Sequence, residues 1–281
     1  MNPLRMWLVL GRVSNLPTVW TNALAGIVLA GGMLGAEYAI AGIALSLFYI
    51  GGMFLNDAFD AQIDAKERSA RPIPAGHVSR RTVFTAGYGI MILAVLLTIW
   101  LGSKASVAGI ALAISIFFYN WLHKKTSLSP VIMGACRFFS YALAAYAVGS
   151  FSGDVLWCAI GMWFYIIGLT YAAKQEAYDR IDRAWPLAVL AIPLLYAGYS
   201  ALASPVALAL FAVFATWTAW AFHLLFRRNP GDVPRAVVSL IAGICLYDAV
   251  LIAATGKMEL AILAAVGFAA TLLLQRVAPG T

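Results

Sequence analysis

Charge is what this sequence has least of. Asp, Glu, Lys and Arg together make up 11% of the 281 residues, and only 12 residues are acidic. Soluble domains carry about 25% charged residues. A soluble fold of this length could not hide a chain that is 63% hydrophobic, so the surplus apolar surface must face lipid. Cysteine is scarce too. Cys136, Cys158 and Cys245 show no CxxC spacing and lie inside apolar runs. They read as small buried apolar residues, not as disulfide or metal partners. The histidines His77, His123 and His223 are too scattered for a Ser-His-Asp or Cys-His arrangement, and the first two read as loop residues. Period-two alternation is missing, which excludes a membrane β-barrel. There is no convincing internal repeat, the usual mark of a secondary transporter.

What the chain does have is a succession of apolar runs, each long enough to cross a bilayer, and a mean hydropathy of +0.86. Without water to satisfy the backbone, such runs must be helices. Spans are expected near 17–35, 38–57, 83–101, 105–122, 131–150, 155–173, 186–203, 205–226, 235–254 and 259–275. The last decides between nine and ten. The fold expected is all-α, a polytopic transmembrane bundle forming a single domain over residues 1–281. The run after Arg5 and Arg12 is long and has no clear cleavage site, so no cleavable signal peptide is expected.

The net charge is +7, and its placement orients the chain. Arg5 and Arg12 precede the first span. Lys66, Arg68, Arg71, Arg80 and Arg81 follow the second, Lys124 and Lys125 the fourth, Lys174, Arg180 and Arg183 the sixth, and Arg227, Arg228 and Arg235 the eighth. Only Lys104 and Lys257 occupy the alternate turns. This asymmetry places the N-terminus and the long loops in the cytoplasm, as for a protein of the inner membrane. The charges sit at helix ends, not on a soluble module, so nucleic acid is not an expected partner.

Two acidic clusters fall at that face. The second span runs into Asn56, Asp57, Asp60 and Asp64, whose spacing of three and four puts the carboxylates on one helix face. Like charges on one stripe repel and need a compensating cation. A magnesium ion, hard and oxygen-seeking, is the natural candidate, commonly held by one or two carboxylates with water and substrate phosphates. A second stripe, Glu176, Asp179 and Asp182, follows the sixth span, with Tyr171, Lys174 and Tyr178 beside it. Two such patches could hold two ions around one diphosphate. The plainer alternative for each is a solvated helix end. Lys66, Arg68, Arg71, Lys124 and Lys174 lie close in sequence to these acids and could neutralise a polyanionic leaving group. Arg137, one or two turns into an apolar run, needs an anion, either a ligand or a structural carboxylate. Asp248, deep in the ninth span, could pair with a buried cation or line a cavity.

At this point the residues resemble a known family. Asn56-Asp57-x-x-Asp60-x-x-x-Asp64 followed by Arg71-Pro72-Ile73-Pro74-Ala75-Gly76 is similar to the first signature of UbiA-type intramembrane prenyltransferases. The second motif departs from the family's DxxDxxxD-like run, because Pro186 stands where a third acid is expected; Glu176 could substitute from the other side. The stretch from Gly11 to Asn22 resembles the EboC-type branch of the superfamily. The resemblance implies a bundle whose central cavity opens to the cytoplasm and sideways to lipid. It implies magnesium held by Asp57, Asp60 and Asp64, with Asn56 bordering, and a second ion by Asp179 and Asp182 with Glu176. It adds Tyr119, Lys124, Arg71 and Lys174 as diphosphate contacts and Arg12, Asn15 and Asn22 as acceptor-side residues, for which a capped and polar-packed helix start is the alternative. The expected partners are a prenyl diphosphate donor, an acceptor the sequence does not name, and membrane lipid. The loop 65–82 would be a lid, and aromatics such as Phe117, Phe118, Trp121 and Tyr165 would wall an apolar tunnel. A sugar- or cyclitol-type acceptor, internal cyclisation, or a transporter of similar topology are the rival readings.

Overall fold

The computed structural model describes residues 2–175, 185–227 and 229–277, with only the backbone given at Trp185. A short helix α1 (Pro3–Leu10) and a 3₁₀ turn (Val13–Asn15) lead into α2 (Leu16–Leu29). There follow α3 (Ala36–Glu67), α4 (Arg80–Ile99), α5 (Ser103–Leu122), α6 (Ser129–Ala147) and α7 (Gly153–Lys174). A 3₁₀ turn (Trp185–Leu190) runs into α8 (Ala191–Ala201), and α9 (Pro205–Arg227), α10 (Asp232–Ala254) and α11 (Met258–Gln275) complete the bundle. Among the described residues, eight helices are long and apolar enough to cross a membrane, α3 to α7 and α9 to α11. The expected ten runs are therefore all helical, but two are short.

The shortfall has local causes. The first span was expected to reach residue 35, yet α2 stops at Leu29, where Gly31 turns the chain with φ of 87°. The seventh is split between a 3₁₀ turn and α8. The second span departs in the opposite sense. It was expected to end at 57, but α3 continues to Glu67, a helix of 32 residues. At 1.5 Å per residue it is roughly 48 Å long and outreaches a bilayer core. Its surplus carries the whole acidic stripe, and the loop behind it is shorter than expected.

α10 is the axis. In its apolar window 89% of residues are buried, against 17% for α11 and 22% for α9. Its crossing with α7 is reciprocal. The Tyr165 hydroxyl of α7 donates to the Leu240 carbonyl of α10 at 2.8 Å, beside Gly243, while the Tyr247 hydroxyl of α10 donates to the Cys158 carbonyl of α7 at 3.0 Å, beside Gly161. A methyl on either glycine would run into the opposing hydroxyl. Small residues and interhelical hydrogen bonds are what joins helices where lipid removes the hydrophobic incentive.

A polar knot ties α2, α6 and α10 at the centre. Asn22 donates to the Tyr141 hydroxyl at 2.9 Å and to Asp248 Oδ2 at 2.8 Å, and Tyr141 donates to the other Asp248 oxygen. Arg137 donates to the Thr18 carbonyl and hydroxyl and to Asn22 Oδ1. Asn22, Tyr141 and Asp248 are fully buried. Asp248 is thus a structural carboxylate linked through Asn22 to the half-buried Arg137. Two further bonds orient the bundle. Lys257 donates to the Gly32 carbonyl just past the end of α2, and Gln275 donates to Asn15 just before its start. The starts of α2 and α10 and the end of α11 therefore share one end of the molecule.

Candidate active site

The site is built on the last three turns of α3. Asp57, Asp60 and Asp64 lie on one face, each with less than a tenth of its surface exposed, and Asn56 borders them. Their like charges are compensated by side chains from three other segments. Arg71, from the loop after α3, donates Nη1 to Asp57 Oδ1 at 3.2 Å and to Asp64 Oδ2 at 2.9 Å. Arg12 donates Nη2 to the same Asp57 oxygen at 3.3 Å and to Asn56 Oδ1 at 3.4 Å. His123 places Nε2 at 3.0 Å from Asp60 Oδ2. Side chains of the protein therefore already partner one oxygen of each carboxylate, with arginines on Asp57 and Asp64 and the His123 ring on Asp60.

The other oxygens, Asp57 Oδ2, Asp60 Oδ1 and Asp64 Oδ1, have no hydrogen-bond partner among the described residues, and none is sealed from solvent. Three free hard oxygens on one face suit magnesium, which takes the rest of its octahedron from water and substrate phosphate. Among the described residues, no three or more acidic, His or Cys side chains sit close enough together to form a ready-made metal cage, Asp57, Asp60 and Asp64 included.

Supports hold these groups from behind. Arg12 adopts the left-handed conformation with φ of 43°, alone among the described non-glycine residues. That costly geometry turns its side chain back over Met53, Asn56 and Asp57. α1 anchors the turn through Met6 and Leu10, packed with Phe54 and Val83, and Trp7 lies against the Phe54 ring. Asn120 of α5 accepts from Asn56 Nδ2 and donates to the Gly52 carbonyl, both at 3.1 Å, fixing which way the Asn56 amide points. His123, at the end of α5, is buried, stacks on Tyr119 with centroids 5.1 Å apart, and faces the Asn120 carbonyl with Nδ1. His123 does stand in the turn that follows α5, as expected, but it is buried and bonded to the stripe, whereas His77 is an exposed loop residue. His123 and Asn120 are the functional neighbours that sequence reasoning missed. The only available signal was their place one turn past and beside Tyr119.

The remaining candidates divide. Lys66 and Lys124 are exposed and Arg68 half-buried, and none makes a hydrogen bond or ion pair to the stripe among the described residues. Lys174 donates to the Thr126 carbonyl at 3.3 Å and ties the end of α7 to the turn before α6. Tyr171 is half-buried one turn earlier. Asn15 donates to the Tyr49 hydroxyl at 3.0 Å and does not cap α2 through its side chain. Asn22 and Arg137 belong to the central knot, where Arg137 has neutral partners and no direct carboxylate among the described residues. Glu176, Asp179 and Asp182 lie outside the described residues. Of the expected tunnel aromatics, Tyr165 is a core residue, while Phe117, Phe118 and Trp121 form an exposed ring cluster on α5.

The described residues thus form an all-helical bundle of membrane-spanning helices with an acid-rich, arginine-clasped mouth at one end. The sequence profile of the UbiA prenyltransferase family matches residues 18–244, and the chain belongs to that family. It is a UbiA-type prenyltransferase and an integral membrane protein. It is 25% identical over 256 residues, 91% of each chain, to a digeranylgeranylglyceryl phosphate synthase of Methanopyrus kandleri. It is 36% identical to a protoheme IX farnesyltransferase of Methylocella silvestris over 137 residues, 43% of this chain and 42% of the other. The fold is similar to that of a solved digeranylgeranylglyceryl phosphate synthase, with a TM-score of 0.66, 18% identity, and coverage of 92% of this chain and 100% of that one. It is also similar to that of a UbiA homologue from Archaeoglobus fulgidus bound to DMAPP and Mg2+, with a TM-score of 0.55, 12% identity, and coverage of 96% and 99%.

Proposed function

We propose that the chain transfers a prenyl group from a prenyl diphosphate to an acceptor within the membrane, releasing pyrophosphate, with magnesium at the α3 stripe. The observation that carries this is the pairing on each of Asp57, Asp60 and Asp64 of one oxygen held by an arginine or histidine side chain and one left free. The A. fulgidus homologue, bound to a prenyl diphosphate and Mg2+, supports the same pairing of metal and donor.

In this reading Asp57, Asp60 and Asp64 hold the metal through their free oxygens, with Asn56 beside them. Bound there, magnesium neutralises charge growing on the departing pyrophosphate. Arg12 and Arg71 flank the same space and supply fixed positive charge to the diphosphate oxygens. Tyr119, Lys66, Arg68, Lys124, Lys174 and Tyr171 form an outer set of diphosphate contacts, and Glu176, Asp179 and Asp182 a second acidic group. The C–O bond breaks with its electron pair leaving on pyrophosphate. The allylic cation is captured by a nucleophilic atom of the acceptor, which then loses its proton. The loop after Glu67, with Pro72, Pro74 and Gly76, is placed to keep water from the cation. Asn15, bonded to the Tyr49 hydroxyl, and Arg12 border the acceptor side. The charge asymmetry puts this mouth at the cytoplasmic face of the inner membrane. The two relatives bear names for unlike products, a glyceryl phosphate lipid and a farnesylated haem, so the acceptor stays unassigned.

The test is pyrophosphate release from geranylgeranyl diphosphate by protein in nanodiscs containing a lipid extract as acceptor source. Asp60→Asn and Asp64→Asn should lower it roughly 100-fold or more, with the thermal transition retained. Full turnover in either variant would refute the metal role.

A further inference from the structure

An open groove with a mostly apolar lining lies away from the acidic stripe. It has a volume of about 430 Å³ between α9 and α10 and is lined by Trp220, Leu224, Arg227, Arg235, Val238 and Ser239. It belongs to the same end of the bundle as the stripe, because α10 begins at the end where Gln275 meets Asn15 and finishes at the end where Lys257 meets Gly32. None of its residues takes part in the site described above.

Its two arginines differ. Arg227 is committed: Nε and Nη2 grip Asp232 at 2.9 and 2.7 Å, and the Asn229 amide also donates to Asp232. That pair closes the turn between the helices and cancels its own charge. Arg235 is exposed and has no carboxylate bonded to it among the described residues; it shares the field of Asp232 with Arg227, so two arginines against one carboxylate leave the mouth net positive. Ser239, one turn deeper, adds a hydroxyl. Leu224 and Val238 make apolar walls just inside Arg235, and Trp220, half-exposed and stacked on His223, continues the lining one turn deeper on α9. Read from the end of the bundle inward, the groove offers a cation, then hydrocarbon walls, and at its deepest the Ser239 hydroxyl and the Trp220 ring. A basic side chain at the mouth of an apolar groove between transmembrane helices is the combination that selects an anionic lipid. A free anion would use the arginine but leave the apolar walls and the Trp220 ring without a partner.

We infer that this groove is a binding site for one anionic phospholipid, its phosphate on Arg235 and Ser239 and an acyl chain along Leu224, Val238 and Trp220. The occupant is a resident lipid of the leaflet that contains the acidic mouth, not a substrate of the transfer reaction.

The experiment is native mass spectrometry of the full chain released from nanodiscs made of equal parts phosphatidylglycerol and phosphatidylcholine. One phosphatidylglycerol should stay bound in preference to phosphatidylcholine. Arg235→Gln should cut that preference roughly fivefold, the worth of one basic residue at an anionic surface. Arg276→Gln, which removes a charge from the same end of the molecule outside the groove, should leave it unchanged. Equal retention of both lipids, an unaltered preference in Arg235→Gln, or an equal loss in Arg276→Gln would overturn the assignment. So would displacement of the lipid by millimolar inorganic phosphate, which would identify the site as one for a free anion.

Discussion

Asp57 accepts from two guanidinium groups on a single oxygen while its other oxygen stays open. That division of labour recurs at Asp60 and Asp64 and gives each partner side chain a definite task. His123 is the clearest example. It touches Asp60 with one ring nitrogen and the Asn120 carbonyl with the other, so it fixes where the free Asp60 oxygen points. It acts as a positioning residue. His123→Ala should raise the half-saturating magnesium concentration for pyrophosphate release about tenfold, the usual cost of losing a partner behind a metal ligand. His123→Gln, which keeps a donor toward Asp60, should recover much of it. A merely structural role would shift the thermal transition and leave the magnesium requirement alone. Part of this was legible in the sequence. The spacing of Asp57, Asp60 and Asp64 alone declares a common face, and the Arg-Pro-x-Pro motif brought Arg71 forward. His123 was not legible, because His-Lys-Lys-Thr after an apolar run reads as a solvated turn and its partner lies 63 residues earlier. Local spacing carries no information about such a pairing.

Among the elements, the crossing of α7 and α10 carries the most reciprocal geometry, each helix offering a glycine to the other's tyrosine. Gly161→Ala should destabilise the protein by about 1–3 kcal/mol, since the new methyl meets the Tyr247 hydroxyl. Tyr247→Phe alone should cost about 0.5–1.5 kcal/mol through its lost bond to the Cys158 carbonyl. Together they should cost less than the sum, because removing the hydroxyl makes room for the methyl. Thermal unfolding in detergent checks this, and strict additivity would mean that the glycine is not there for the hydroxyl. Element ends were less legible than element existence. α2 ends early at a left-handed Gly31, and α3 overruns its apolar segment because its polar face is buried under Arg12, Arg71 and α5. Hydropathy sees neither cause.

On the scale of the molecule, one end holds the acidic mouth, its clasping arginines and the lipid groove, while α10 passes through the centre and carries Asp248 into the polar knot. The helical character of the apolar runs followed from composition, although eight helices among the described residues, not the expected nine or ten, are long enough to cross a membrane. The function of the buried polar residues did not, since Asn22 and Arg137 serve α2–α6–α10 packing in ways that only a three-dimensional neighbourhood reveals. The account depends on cooperation at the mouth between carboxylate oxygens, a divalent ion and a diphosphate. The most direct test is equilibrium binding of geranylgeranyl thiolodiphosphate, a donor analogue that resists ionisation, to the full chain in nanodiscs with magnesium or with chelator. Binding should be tight with magnesium, fall at least roughly tenfold with chelator, and fall as far in Asp64→Asn even when magnesium is present. Equal affinity with and without the metal, or an Asp64→Asn variant that binds like the parent, would contradict it.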